Sequence, residues 1–194
     1  MDTVQTYRSL APSLLVSMPQ LHDPNFERSV ILLCEHSEEA AFGLVLNRPT
    51  ERPASEVVRL MPPVSLTRAE RRQTGLELWL GGPVEPERGW ILMGDEPGDS
   101  DAVRVCDGVF LSASPQLLRK LLEGPPPSRT RLLTGYAGWG AGQLDAELAA
   151  SAWLHSDVDP DIVFDMHPTD MWEMTIRRMG ADPFLLQMGG GTVH

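Results

Sequence analysis

Residues 13–18 and 29–36 are apolar on both alternating sets of side chains, so they are expected as central strands covered on both faces of a sheet. Between them Pro19, Asp23 and Pro24 predict a loop. After a polar turn at 37–39, residues 42–47 form a third predicted strand that stops at Arg48-Pro49. Pro53 is placed to open a short helix, with Val57, Val58, Leu60 and Met61 as its buried stripe and Pro62-Pro63 as its stop. The charged stretch 64–74 predicts no element. Residues 76–80 and 89–93 read as strands joined across Gly81-Gly82-Pro83-Val84, and 94–101 as an acidic loop.

The second half alternates strands with helices. Residues 103–111 predict a strand pair or a single bent strand around Asp107-Gly108, and Ser114-Pro115 is an N-cap and first-turn signature. The helix that follows carries Leu117, Leu118, Leu121 and Leu122 on one stripe and stops at Gly124 before three prolines. Residues 130–137 predict a strand running into a glycine-rich turn, and a second helix is expected from Gln143, with Leu144 and Leu148 on its apolar side. Residues 156–168 read as a loop with at most a short strand at 162–164. A last helix is expected after Thr169, with Met171, Trp172, Ile176 and Met179 buried, and residues 189–194 as a loose tail. No repeat or linker divides the chain, so one domain over 1–194, with its core at about 11–185, is expected.

Charge narrows the possible partners. The 194 residues hold 16 Lys plus Arg against 27 Asp plus Glu, a formal net charge of −11. The cations are scattered, so direct nucleic-acid binding and attraction to an acidic membrane are disfavoured. Cys34 and Cys106 form neither a CxxC pair nor a disulfide framework, and no signal peptide or spanning segment is visible, which together predict a cytoplasmic protein.

Three features could carry chemistry. Cys34-Glu35-His36 closes a strand, and a period of two would put Cys34 and His36 on one face, their Cβ atoms about 7 Å apart. An imidazole there could activate the thiol as a nucleophile, or Cys34 could be a small buried hydrophobe. The glycine-rich run Gly135 to Gly142 could cradle an anion with Gly138, Gly140 and Gly142, or simply permit a tight turn; it lacks the P-loop lysine and the dinucleotide glycine spacing. Finally, Asn25 with Arg28 and Asn47 with Arg48 pair an amide with a guanidinium, able to hold a carboxylate or phosphate or to tie a turn together. Asp157, Asp159 and Asp161 lack the glycine and glutamate of a calcium loop, so neither a metal nor a cofactor is expected.

Taken together, Met18-Pro19, Asp23 to Phe26, Arg28, Cys34-Glu35-His36, Gly43, Asn47-Arg48-Pro49, Gly81 to Val84 and Gly135 to Leu144 resemble the AlgH/YqgE family in order and spacing. The resemblance spans about 11–185. It implies a single compact α/β domain with a twisted, mixed, partly barrel-like sheet flanked by helices, from a bacterial cytosol. Members are labelled transcriptional regulators, with no reaction or ligand established for the family. Its motif positions correspond to Arg28, Cys34, His36, Asn47, Arg48, Gly82 and the turn 138–142, which raises the expectation of one shared site. Two functions stay open: a binding or regulatory module for a small anionic ligand or a protein partner, and an enzyme using Cys34 activated by His36.

Overall fold

The computed structural model describes residues 7–53 and 76–188. The expected helix after Pro53, the charged stretch 64–74 and the tail 189–194 lie outside them. Strands β1 (Ser13–Ser17), β2 (Val30–His36) and β3 (Ala41–Val45) follow one another as an antiparallel meander, close to the expected ranges. Both faces of this meander are buried. Val30 and Leu32 point into one core and Ile31 and Leu33 into another, which is why the sequence shows no polar alternation there.

Pro53 itself closes an extended strand, β4 (Pro49–Pro53), which pairs with β5 (Glu77–Leu80). Proline is tolerated because this short strand pairs only with β5, at the side of the main sheet. Strand β6 (Val84–Met93) is longer than expected, with its register shifting between Val84 and Gly89. The hairpin of β7 (Val103–Cys106) and β8 (Val109–Ser112) turns at Asp107-Gly108 as predicted.

Strand β9 (Thr130–Trp139) organises the sheet. One of its edges pairs with β6; the other is shared by β5, in parallel at Leu132 to Thr134, and by β3, antiparallel at Ala137 to Trp139. The change of neighbour falls at Gly135, whose φ of +69° bends the strand. Most of the expected glycine turn is therefore strand, and only Gly140-Ala141-Gly142 turns the chain. The ten-stranded sheet runs β10-β1-β2-β3-β9-β6-β8-β7, with β4 and β5 off this path. It curls into a half-barrel.

Helices cover both sides. Helix α1 (Pro115–Glu123) is capped by Ser114 Oγ, which accepts from Leu117 N at 3.2 Å, and its leucines pack on Leu78, Ile91 and Leu132. Gly124 leaves the helix extended, at φ −151°, because Pro125 disfavours helical backbone in the residue before it. Helix α2 (Gln143–Ala149) buries Leu144 on the outer core. Strand β10 (Trp153–Ser156), which the sequence pattern did not announce, pairs with β1. The acidic loop at 156–168 contains a helix instead of the expected short strand: Asp159 caps α3 (Pro160–Phe164), accepting from Asp161 N at 2.9 Å. Its Asp-Pro start is the same signature as Ser114-Pro115. Helices α4 (Pro168–Arg178) and α5 (Pro183–Met188) follow, and Ile162, Val163, Met171, Trp172 and Ile176 close the inner core. Among the described residues no helix is long and apolar enough to cross a membrane.

Candidate functional site

The asparagine and arginine motifs meet each other, and they do so as a fastener. Asn47 Nδ2 donates to Arg28 O at 2.9 Å, while Asn47 Oδ1 accepts from Val30 N at 3.1 Å. Arg48 donates to Glu27 O at 2.5 Å. Arg28 takes a φ of +50° and lays its guanidinium over Trp172, 5.1 Å from the ring centre. Asn25 is exposed, its N–H bonded to Asp23 Oδ1 in a local turn. These contacts hold the loop before β2 to the end of β3.

At the other end of β2 the expected alignment of Cys34 with His36 fails. The register with β3 shifts between Leu33 and Glu35, so Leu33 faces Gly43, Glu35 faces Phe42 and His36 faces Ala41. Such a bulge inserts one extra residue and breaks the period of two. Cys34 turns to the inner core with Phe42, while His36 follows Ala41 to the outer side. They share only a hollow of about 370 Å³ at the strand end, walled also by Ser9 and Ala11.

The Cys34 thiol donates to Leu32 O at 3.6 Å. Burial pushes its pKa far above the ordinary thiol range, and the charges of Glu35 and Cys106 add to this. That is the reverse of an activated nucleophile. His36 Nδ1 accepts from Leu10 N at 3.1 Å, which fixes the proton of the neutral ring on Nε2. Nε2 faces Tyr7 Oη at 2.5 Å, and Tyr7 Oη donates to Asp145 Oδ2 at 3.1 Å. The Tyr7 phenol is raised, first by desolvation and then by its bond to Asp145. His36 thus latches the segment before β1 to α2.

The glycines act sterically. A Cβ on Gly82 would lie 2.1 Å from Tyr136 C, and one on Gly135 would lie 2.2 Å from Gly82 O, so the turn between β5 and β6 approaches β9 as only glycine permits. The Gly140 N–H is taken by Gln143 Oε1 at 3.1 Å, and Gly142, at φ +65°, enters α2. No cradle for an anion is left open at Gly140.

A cleft of about 760 Å³ lies on the inner side of the half-barrel and includes Cys34 and Gly138 but none of Arg28, Asn47 or Arg48. Three rings build its wall: Phe42 lies 4.9 Å from Trp90 and 5.1 Å from Tyr136, centroid to centroid. Trp90 is only 9% exposed, and its indole N–H has no hydrogen-bond partner among the described residues. Arg88 stacks 4.5 Å above the Trp90 ring and pairs with Glu85, while Arg104 pairs with Asp107. Glu35 and Asp101 complete the charged rim. The sequence pattern singled out none of Phe42, Arg88, Trp90 and Arg104 as site residues. The spacing of two between Arg88 and Trp90 on β6, and between Tyr136 and Gly138 on β9, is the signal that places each pair on one face. Among the described residues no group of three His, Cys, Asp or Glu side chains is arranged to hold a metal.

A family model described as AlgH-like matches residues 14–184. A UPF0301 protein of Myxococcus xanthus is 44% identical over 184 residues, which cover 95% of this chain and 98% of the relative. The chain belongs to the AlgH-like family. A UPF0301 protein of Ruegeria pomeroyi is 39% identical, with 94% of this chain and 98% of the relative covered. The solution structure of AlgH from Pseudomonas aeruginosa has a TM-score of 0.75 at 33% identity and covers 100% of this chain and 99% of that one. A crystal structure of a Corynebacterium diphtheriae protein, at 23% identity and a TM-score of 0.67, covers 99% and 95% and shares the fold. In this AlgH-like protein the motif residues other than His36 and the turn 140–142 divide in two. Gly82, Asn47, Arg48 and Arg28 build the frame, while Cys34 and Gly138 lie on the wall of the cleft.

Proposed function

We propose that this AlgH-like protein is a binding module whose inner cleft holds a small molecule with an apolar body and an anionic or other acceptor group. The observation that carries the reading is Trp90, which lines that cleft and whose enclosed indole N–H has no hydrogen-bond partner among the described residues. A buried donor without an acceptor costs about 1–3 kcal/mol, and a ligand oxygen would recover it. The volume, near 760 Å³, lies within the range usual for small-molecule sites, roughly 300–1,000 Å³. Arg88 and Arg104 stand at the rim, where an anionic group would exchange with Glu85 or Asp107. Regulation by such a module would run through a metabolite or a protein partner, because a net charge of −11 opposes direct contact with DNA. The paired absence of a disulfide and of a spanning segment in the sequence supports a cytosolic setting.

Native mass spectrometry of the untagged protein purified from its host tests the reading. A copurified small molecule is expected, and Trp90→Phe, which keeps the ring and removes the donor, should weaken its retention roughly three- to tenfold. A protein that carries nothing, and that also fails to bind anilinonaphthalene sulfonate in a saturable, Trp90-dependent way, would refute it. Titration with duplex DNA across a salt series should show no tight binding with a steep salt slope.

A further inference from the structure

Arg131, on β9, is a charged side chain with 6% exposure, and among the described residues no carboxylate lies within ion-pair reach of it. Its guanidinium donates to Leu46 O at 2.6 Å and to Phe164 O at 3.3 Å, and it stacks 4.1 Å from the centre of the Trp79 ring. A guanidinium carries five N–H donors, and those two carbonyls do not use them all. Burial lowers its pKa to about 10, while Glu77 and Asp165, acting through space, oppose the shift, so the group stays charged at neutral pH. A buried charge held only by carbonyl dipoles and an aromatic face is short of a counter-charge.

The neighbouring residue adds a second unmet group. Thr130 Oγ1 is enclosed and has no hydrogen-bond partner among the described residues. Thr130, Arg131, Trp79 and Glu77 line one cavity of about 330 Å³ that shares no lining residue with the Trp90 cleft. That space is several times the roughly 30 Å³ of a water molecule. A carboxylate can take donors from a guanidinium and a hydroxyl together, and Glu77 on the same wall repels a second negative charge but accepts from a donor.

We propose that this cavity binds a small organic carboxylate through Arg131 and Thr130, with Glu77 favouring one that also bears an ammonium or hydroxyl group. An amino-acid-like zwitterion satisfies all three side chains. The Trp79 face supplies apolar contact beside them.

Heteronuclear NMR titration with L-alanine, acetate and methylamine as probes tests the site. L-alanine should give saturable shifts at Trp79, Thr130 and Arg131, acetate the same shifts at higher concentration, and methylamine none. Thr130→Val, which keeps the shape and removes the hydroxyl, should weaken L-alanine roughly fivefold, and Glu77→Gln should narrow its advantage over acetate. Neither substitution touches the core, so both variants stay folded where Arg131→Lys could not be relied upon. No saturable shift with L-alanine or acetate overturns the proposal, as do shifts unchanged in Thr130→Val; equal binding of L-alanine and acetate overturns the part assigned to Glu77.

Discussion

Replacing Gly135 by alanine separates a structural role of the glycine motif from a role in binding. The added Cβ would sit 2.2 Å from Gly82 O and 3.2 Å from Val84 O, on backbone atoms at the start of β6, which pairs with β9. The residue must also keep a φ of +69°, which costs a non-glycine about 1–2 kcal/mol. Forcing the strands apart adds about 1–3 kcal/mol of overpacking, for a sum of about 2–5 kcal/mol. In a chain of this length each kcal/mol moves the melting temperature by about 2–4 °C, so the shift should be about 4–20 °C. Gly142→Ala is the control, since Gly142 has φ +65° with nothing within 4 Å of the added carbon, leaving the backbone cost alone. Thermal melts followed by circular dichroism should therefore rank Gly135→Ala well below Gly142→Ala, and Gly82→Ala, 2.1 Å from Tyr136 C, at least as low. Equal shifts for Gly135→Ala and Gly142→Ala would show that β6 and β9 are not locked by their glycines.

Glu147 Oε2 accepts from both Trp139 Nε1 at 3.0 Å and Trp153 Nε1 at 2.8 Å, tying α2 to β9 and β10, and Glu147→Ala should cost about 2–4 kcal/mol in urea unfolding by stranding two indole donors. Asn47→Ala should cost about 1–3 kcal/mol and speed amide exchange at Val30, whose N–H loses its acceptor. Since the raised thiol of Cys34 lowers its thiolate fraction at neutral pH, alkylation read by mass spectrometry should label Cys106, the less strongly raised of two half-buried thiols, before Cys34. The sign for stability follows: the contribution of the Cys34 thiol is intact below the ordinary thiol pKa, about 8.5, and is lost as pH rises above it. Faster alkylation of Cys34 than of a free thiol near neutral pH would restore the nucleophile reading.

Much of the fold was legible because burial leaves a local trace. The uniform apolarity of Leu14 to Val16 and of Val30 to Leu33 announced strands buried twice over, and Ser114-Pro115 announced a helix start. The elements that escaped, β10 and β4, are short and owe their existence to the partners β1 and β5. Helix α3 was legible in Asp159-Pro160 but was masked by the acidity of its surroundings, which reads as loop.

For the candidate site the sequence determined which side chains are available: a thiol beside an imidazole, amide and guanidinium pairs, and a dense glycine run. Tertiary structure decided what they meet. A single extra residue at Cys34 turned His36 to the opposite side of the sheet, and Asn47 spent both ends of its amide on backbone. The curl of the sheet then brought Phe42, Trp90 and Tyr136, from three separate strands, around one cleft. The physical reason is that side-chain chemistry is local to a residue, whereas facing, burial and partnership depend on register and curvature, which are set by strands far apart in the chain.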